Sequence, residues 1–386
     1  MMKVYLDHNA TTPLDPQVLE AMMPYLREEF GNASSIHQWG RKAKAALEDS
    51  RAKIASLLGA EKECIAFTGG GTEADNLAVK GVAWANQDRG KHIVTSAVEH
   101  HAVLHVCEFL AKQGFEITFL PVDGRGRLDP ESLRKAIRPD TILITLMHAN
   151  NETGALYPLR AFGEIAKEKK VPFHTDAIQS FCKVPLNVEE DHVDLLSLSA
   201  HKIYGPKGVG ALYIRKGTRM VPILHGGGQE RKRRPGTENV AGTVGFARAA
   251  ELLFAIREQE AKRLTSLRDH LQRGLAERIP QVQLNGDPEN RLPGTLNMSF
   301  EFVEGESLIL SLDREGIAVS SGSACTSGSL EPSHVLLAMG ISHEVCHGSL
   351  RFSLGRGTTK EQIDYVLQEL PPIVARLRAM SPLAHT

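Results

Sequence analysis

From about residue 60 to residue 215 the chain alternates short apolar runs with longer amphipathic stretches, and few folds accept that rhythm. The strand candidates are Cys64–Thr68, His92–Ser96, Ile117–Val122, Thr141–Met147, Pro172–Thr175, Leu195–Ser199 and Val209–Ile214. Helical stretches such as Glu73–Asn86, Ala102–Gln113 and Leu159–Lys169 lie between several of them. Strands apolar on both faces and joined by helices need cover on both sides. The pattern therefore predicts an α/β fold, a mainly parallel sheet flanked by helices. In such sheets ligands sit outside the carboxyl ends of the strands, so the loops after the strands carry the functional reading. Further on the pattern changes. Glu238–Arg278 reads as one nearly continuous helix stopped by Pro280. Strand candidates Val282–Leu284, Thr295–Phe300 and Ala318–Ser321 and helices Ser307–Arg314 and Lys360–Met380 follow. The expected division is a large domain, residues 15–258, and a smaller α+β domain made of residues 1–14 and 259–386.

Charge narrows the partners. Lys plus Arg number 45 and Asp plus Glu 46, a formal net charge of −1. That balance gives no electrostatic reason to expect nucleic acid or a membrane surface as partner. The opening Met1-Met2-Lys3-Val4 has no apolar leader, and no apolar stretch approaches a membrane span, so a cytoplasmic protein is expected. The cysteines at 64, 107, 182, 325 and 346 are odd in number and scattered, which fits free thiols in a reducing compartment. The run Arg231-Lys232-Arg233-Arg234 reads either as a solvated loop or as an anion or interface contact.

Three loops after strand candidates carry chemistry. Gly69-Gly70-Gly71-Thr72-Glu73 opens a helix, where backbone N–H groups can approach an anion and Thr72 adds a hydroxyl. It lacks the Lys-Ser/Thr ending of a P-loop, and alone it could be a tight turn. In His174-Thr175-Asp176-Ala177-Ile178-Gln179, an Asp at a strand end can keep a ring nitrogen protonated, or can merely cap a helix. In Ser199-Ala200-His201-Lys202-Ile203-Tyr204-Gly205, a lysine just after an apolar strand is a candidate Schiff-base amine. Together, an Asp and a Lys in successive strand-end loops, with a phosphate cup upstream, point to pyridoxal phosphate far more strongly than any one of them.

The same stretches carry a resemblance. Tyr5-Leu6-Asp7-His8-Asn9-Ala10-Thr11-Thr12, Gly71-Thr72-Glu73, Glu99-His100, Asn150-Asn151-Glu152, His174–Gln179 and Ser199–Lys202 resemble class V, aminotransferase-fold (fold type I) pyridoxal-phosphate enzymes. Ser321-Gly322-Ser323-Ala324-Cys325-Thr326-Ser327-Gly328-Ser329-Leu330-Glu331-Pro332 is similar to the corresponding loop of the cysteine desulfurases of the NifS/IscS family. The likeness runs essentially end to end. That loop, Arg234–Asn239 and Leu370–Val374 resemble the nitrogenase-associated NifS branch more than the housekeeping branch. The resemblance implies roles. Lys202 would hold the cofactor as a Schiff base, Asp176 would pair with the pyridine nitrogen, and Gln179 with the ring hydroxyl. His100 would stack on the ring, with Asn151 beside it, while Gly71, Thr72, Ser199 and His201 would form the phosphate site. Thr237 would reach the phosphate of the neighbouring subunit in a homodimer. Arg351, with Asn32 and Asn151, would hold the substrate carboxylate, a contact that suits a planar guanidinium. Two departures stand out: His8 replaces a more usual Asn, and Pro235 lies within the Arg-x-Gly-Thr stretch.

The cofactor does not choose the reaction; Cys325 does. It lies in Ser320–Ser329, too rich in glycine and serine for a packed strand or helix. The expected reaction converts L-cysteine to L-alanine. Lys202 removes the α-proton, His100 shuttles protons through a charge change near neutral pH, and the Cys325 thiolate takes the sulfur as a persulfide. An iron–sulfur scaffold or other sulfur-acceptor protein would then receive it, possible destinations including nitrogenase maturation. The rivals are a selenocysteine lyase, a small-amino-acid aminotransferase and a non-catalytic sulfur carrier. No metal is expected: His343-Glu344-Val345-Cys346-His347 matches a zinc-protease pattern, but Gly340 and Gly348 leave little room for the helix it needs. His225-Gly226-Gly227-Gly228 resembles a lipase oxyanion loop, yet the chain has no G-x-S-x-G elbow.

Overall fold

The computed structural model describes residues 2–321 and 332–381. Ahead of the alternating stretch come strand β1 (Val4–Tyr5) and helices α1 (Pro16–Arg27) and α2 (Gln38–Leu58). Asp15 starts α1 by accepting the Gln17 N–H, with Pro16 supplying a preset φ, and left-handed Gly59 ends α2. The alternation then resolves into β2 (Ile65–Thr68), α3 (Gly71–Asn86), β3 (His92–Ser96), α4 (His101–Ala111) and β4 (Glu116–Leu120). It continues through α5 (Pro130–Ala136), β5 (Thr141–Thr145), α6 (Leu159–Lys169), β6 (Phe173–Asp176), β7 (Leu195–Ser199) and β8 (Gly210–Ile214). These strands form one sheet in the order β2-β8-β7-β6-β5-β3-β4. Only β8 runs antiparallel to its neighbours, so the sheet is mainly parallel, as the apolar runs require. Every residue of β2, β3, β5, β6, β7 and β8 is buried, while the edge strand β4 is half exposed.

The rest of the chain is α7 (Val240–Arg278), β9 (Val282–Leu284), β10 (Thr295–Phe300), α8 (Gly305–Arg314), β11 (Ile317–Ala318), α9 (His334–Ala338), α10 (His343–His347), β12 (Ser349–Ser353) and α11 (Lys360–Met380). β9, β10 and β12 form a small antiparallel sheet. Its core joins Leu271 and Leu275 of α7 to Leu367 and Leu370 of α11 and to Phe300 and Phe352.

The N-terminal segment ties the two sheets together. β1 pairs with β11, and Asp7 bridges Ser353 at the end of β12. A few residues later the Thr12 N–H and hydroxyl both donate to the His201 carbonyl, at 3.0 and 2.8 Å. The segment therefore runs from the small sheet onto the loop that follows β7, which is the loop of Lys202. Among the described residues no helix is long and apolar enough to cross a membrane.

Candidate active site

The site gathers at the carboxyl ends of β2, β6 and β7, where a parallel sheet leaves its loops free to hold a ligand. After β7, a single turn, Ala200–Lys202, presents Lys202. Its Nζ donates to the carbonyls of Asn9 and Ala10, at 2.5 and 2.7 Å. One strand over, Asp176 ends β6 with its carboxylate buried, and Oδ1 accepts the Ile178 N–H at 2.9 Å. Burial pushes Asp176 above the usual carboxylate range, against the pull of that N–H and of the Lys202 charge. Gln179 donates Nε2 to the Asn9 carbonyl at 2.8 Å and accepts from Lys183 Nζ at 3.3 Å. Burial, with the Lys202 charge adding to it, lowers the Lys183 ammonium to about 7.

The phosphate cup has the shape that the glycines suggest. Gly70 precedes α3 without capping it by a side chain, and the first-turn N–H groups of Gly71, Thr72 and Glu73 have no intrahelical acceptor. A Cβ on Gly71 would lie 2.2 Å from Ile178 Cδ1 and 3.5 Å from Ser199 Cβ, so only glycine keeps this corner open. The buried Ser199 hydroxyl finds no hydrogen-bond partner among the described residues. Beside it, His201 Nδ1 lies 3.2 Å from the Thr11 hydroxyl, and burial takes this imidazole down to about 4, hence neutral. Thr72 is exposed at the rim. An uncapped helix end, an orphaned hydroxyl and a buried carboxylate beside a lysine fit the phosphate, the ring nitrogen and the carbonyl carbon of pyridoxal phosphate.

His100 caps α4, its Nδ1 accepting the Ala102 N–H at 3.1 Å, which leaves Nε2 as the protonated nitrogen. Burial, reinforced by the Lys202 charge and by neighbouring histidines, lowers His100 to about 4. The expected charge change near neutral pH is therefore corrected: this ring is neutral there, because the sequence does not reveal its burial. His101 stacks on His105 with centroids 4.8 Å apart and faces His334 at 4.7 Å.

Arg351, in the middle of β12, is buried. Nη2 pairs with Asp7 Oδ1 at 2.9 Å, Nη1 donates to the Asn151 carbonyl at 3.1 Å, and Nε has no partner among the described residues. Asn151 sits in a turn that Asn150 organises by accepting the N–H groups of Glu152 and Thr153. Asn32 is exposed between α1 and α2, its side-chain oxygen accepts the Ser34 N–H, and among the described residues it makes no hydrogen bond to Arg351. Thr237 is exposed in the loop before α7. Cys325 lies outside the described residues.

Other sequence signals find their places. Arg234 pairs with Glu73 at 2.8 Å, which pins the basic run to the start of α3. His8 is buried with Nδ1 3.0 Å from the Ser353 carbonyl, and it packs so closely on Gly355 that a Cβ there would meet the ring at 2.2 Å. His343 and His347 stand on a five-residue helix, and among the described residues no group of three metal-ligating side chains could hold an ion. Some contributors have no sequence reading of their own: the Asn9 and Ala10 carbonyls and Asp7 as partner of Arg351. A cavity of about 50 Å³ on the Lys202 side is lined in part by His8, Asn9, Lys183 and Tyr204. An open recess of about 400 Å³ lies over Thr72, Asn76 and His100.

The family model described as aminotransferase class-V matches residues 4–366. A protein named cysteine desulfurase IscS from Dictyoglomus turgidum is 57% identical over 98% of this chain and 96% of its own length. Another of that name, from Methanosarcina thermophila, is 57% identical over 98% of this chain and 94% of its own. A solved structure named NifS-like protein superposes with a TM-score of 0.92 at 40% identity, covering 97% of this chain and all, 100%, of the other.

Proposed function

We propose roles for individual residues from one premise: the chain belongs to the aminotransferase class V family and, within it, to the cysteine desulfurases. It is a pyridoxal-phosphate enzyme that converts L-cysteine to L-alanine and passes the sulfur to an acceptor protein. The bound cofactor supplies the electron sink that makes the substrate α-proton removable and the C–S bond breakable. Everything else falls to the chain. Lys202 anchors the cofactor. Once displaced by the substrate amine it is the base at Cα, and the Asn9 and Ala10 carbonyls are where its ammonium rests. Asp176 keeps the ring nitrogen protonated, Gln179 meets the ring hydroxyl, and His100 covers the ring as a neutral imidazole with a proton at Nε2. Gly71, Thr72, Ser199 and His201 hold the phosphate, with Thr237 of the partner subunit completing that site in a homodimer. Asn151 lies beside the ring.

Arg351 takes the substrate carboxylate. Its buried, unmatched Nε–H is the observation that supports this most, because a buried guanidinium N–H without an acceptor is costly and a carboxylate supplies one. Asn32 would join it. The Cys325 thiolate attacks the substrate sulfur. An S–S bond forms, the C–S bond breaks with its electron pair left on the carbon side, and protonation there gives alanine and a Cys325 persulfide. The large domain would span residues 15–258, and the small domain residues 1–14 and 259–386. Iron–sulfur cluster assembly in the cytoplasm is the proposed destination of the sulfur, through a scaffold protein; a nitrogenase-specific role is the narrower form of that reading.

The test is Cys325→Ala. The wild-type protein should release alanine and sulfide from L-cysteine with a reductant present. The variant should keep the cofactor absorption and lose sulfide release. Unchanged turnover would overturn the assignment.

A further inference from the structure

Lys183 has no part in the roles above, although it stands four residues after Gln179 and shares a cavity with Lys202. The chain turns sharply there. The Lys183 and Val184 N–H groups both donate to the Ser180 carbonyl, at 2.9 and 3.1 Å, and Cys182 just before them is left-handed, with a φ of 58°. Few residues with a Cβ adopt that conformation. The turn places the Lys183 side chain on the wall of the cavity of about 50 Å³ that Lys202 also lines. Its Nζ donates to Gln179 Oε1 at 3.3 Å, and among the described residues it forms no ion pair. The one carboxylate among the described residues lining that cavity, Glu260, is paired with Arg263. A half-buried ammonium without a carboxylate is a costly way to satisfy a single amide oxygen.

What the contact does follows from which groups can donate. An ammonium only donates and a carbonyl only accepts. With Lys183 at one end and the Asn9 carbonyl at the other, the Gln179 amide has one orientation, its oxygen towards Lys183 and its nitrogen towards Asn9. Asn9 is itself firmly held. Its N–H donates to the Ser353 hydroxyl at 2.9 Å, and its side-chain nitrogen donates to the Asn151 carbonyl at 3.1 Å and the Thr295 hydroxyl at 3.0 Å. The same Asn9 carbonyl receives Lys202 Nζ at 2.5 Å. Lys183, Gln179, Asn9 and Lys202 are thus joined by consecutive hydrogen bonds, and in such a chain each bond polarises the next. The other groups facing Lys183 are Cys182 beside it, His8 from the N-terminal segment, His201 and Tyr204 from the loop after β7, and Arg257 and Glu260 from α7.

We propose that Lys183 is a positioning residue for the cofactor's ring hydroxyl: it locks the Gln179 amide with its N–H end committed to the site and makes that N–H a stronger donor. This rests on Gln179 meeting the ring hydroxyl. The consequence is a change in the pH at which the Lys202–cofactor linkage loses its proton. In a Schiff base of this kind the ionised ring oxygen holds a proton on the linkage nitrogen, as any neighbouring negative charge would. A strong donor to that oxygen draws off part of its charge, and the nitrogen then releases its proton at lower pH. Without Lys183 the Gln179 oxygen loses its donor, the amide donates less strongly, and the proton stays on the linkage to higher pH. Lys183 therefore tunes the pH range over which the bound cofactor accepts a substrate amine.

The experiment uses the holoenzyme without substrate and four variants: Lys183→Met, Lys183→Arg, Gln179→Met and the double methionine variant. The absorption of the bound cofactor is followed from about pH 6 to pH 10, and the midpoint of its change is read for each, with the thermal melt of the cofactor-free protein beside it. Lys183→Met keeps the length of the side chain and removes donor and charge. It should raise the midpoint by roughly 0.5–1 pH unit, the size expected for the loss of one hydrogen bond's influence. Lys183→Arg keeps both donor and charge and should bring the midpoint back to within about 0.3 unit of wild type. Gln179→Met should raise it at least as far as Lys183→Met, and the double variant should match Gln179→Met within about 0.3 unit, because Lys183 acts through the amide. A lysine kept for packing alone would lower the Tm of Lys183→Met and leave its midpoint in place. An unchanged midpoint in Lys183→Met, whatever its Tm, would therefore overturn the proposal. So would an arginine variant that stays with the methionine one, or a full further shift in the double variant. If Gln179→Met itself left the midpoint at the wild-type value, the placing of Gln179 on the ring hydroxyl would fail instead, and the two failures are thereby separated.

Discussion

Replacing Asp176 by Asn should move the cofactor-free and cofactor-bound proteins in opposite directions. Asn keeps the size and an oxygen to accept the Ile178 N–H, at 2.9 Å in the wild type, but it removes the charge. In the cofactor-free protein burial already pushes this carboxyl above its ordinary range, and Asp75, close by and fully buried, is pushed up with it. The sign follows by linkage. Between the unfolded pKa of about 4 and the raised folded value, the native state binds more protons than the unfolded one, so stability falls as pH rises through that window. Asn has no proton to lose and no charge to desolvate. The cofactor-free variant should therefore melt no lower than wild type at pH 8, and its Tm should fall less between pH 5 and pH 8. With cofactor the balance reverses, because a pyridinium facing Asp176 exchanges a hydrogen bond to a carboxylate for one to a neutral amide. Hydrogen bonds to charged groups contribute about 1.5–3 kcal/mol and neutral ones about 0.5–1.5 kcal/mol, so the exchange costs about 1–1.5 kcal/mol. At about 1.4 kcal/mol per tenfold, the dissociation constant of pyridoxal phosphate should rise roughly 5- to 12-fold, read by absorption titration. An Asn variant that binds the cofactor as tightly as wild type, or whose cofactor-free Tm drops at pH 8, would refute the assignment of Asp176 to the ring nitrogen.

Two further outcomes follow from particular contacts. Gly210→Ala should cost about 1–3 kcal/mol and weaken cofactor retention, because the new Cβ would sit 2.5 Å from the Leu198 carbonyl oxygen and 2.7 Å from the Gly70 carbonyl carbon. All of that is backbone at the phosphate turn, so an unchanged Tm in thermal melts would count against this geometry. Glu99 is fully buried and pushed from 4.5 up to about 8 by burial, so it is protonated in the native state at neutral pH and destabilises the fold as pH rises towards 8. Glu99→Gln should flatten the loss of cofactor-free stability between pH 6 and pH 8.5 in urea titrations, and an equally steep loss would show that another group sets it.

Much of this site is legible in the sequence because its chemistry is tied to strand ends. His92–Ser96 and Leu195–Ser199 are short runs built around Ile93-Val94 and Leu195-Leu196-Leu198 and free of charged residues other than His92, and they are strands with those same bounds. Asp176 and Lys202 could be picked out because each residue type follows such a run. What stays hidden is contact between distant parts of the chain. The rest position of Lys202 is made of the Asn9 and Ala10 carbonyls, 193 and 192 residues away, and a backbone carbonyl leaves no mark in a sequence. Ser333 and Glu152 are 181 residues apart, and only folding makes them partners. Strand β12 carries a buried arginine in its middle, which breaks the apolar signal that reveals the other strands. His100 shows the same limit in its titration: type and position suggest a base at neutral pH, whereas burial takes it to about 4.

These shifts share a direction that bears on what the site can bind. Burial raises the carboxyls of Asp75, Glu99 and Glu152, and Asp176 with them, and lowers His100 and His201 to about 4. A carboxyl that keeps its proton adds no negative potential, and an imidazole that has lost its proton adds no positive one. Beside Lys183, which burial leaves only partly charged, the charges left among the described residues to face a ligand are the Lys202 ammonium, the Arg351 guanidinium with Asp7 beside it, and the partial positive charge at the start of α3. Each can be matched to one ligand group: the carbonyl carbon that an amine attacks, the substrate carboxylate, and the phosphate. Asp176 is the exception that fits the same logic, because Lys202 already draws it back towards ionisation and a ring nitrogen holding a proton would complete that shift. The acids and histidines around the pocket thus add little charge of their own. Among the described residues, selection for an anionic substrate and cofactor draws mainly on the Lys202 and Arg351 side chains and the start of α3.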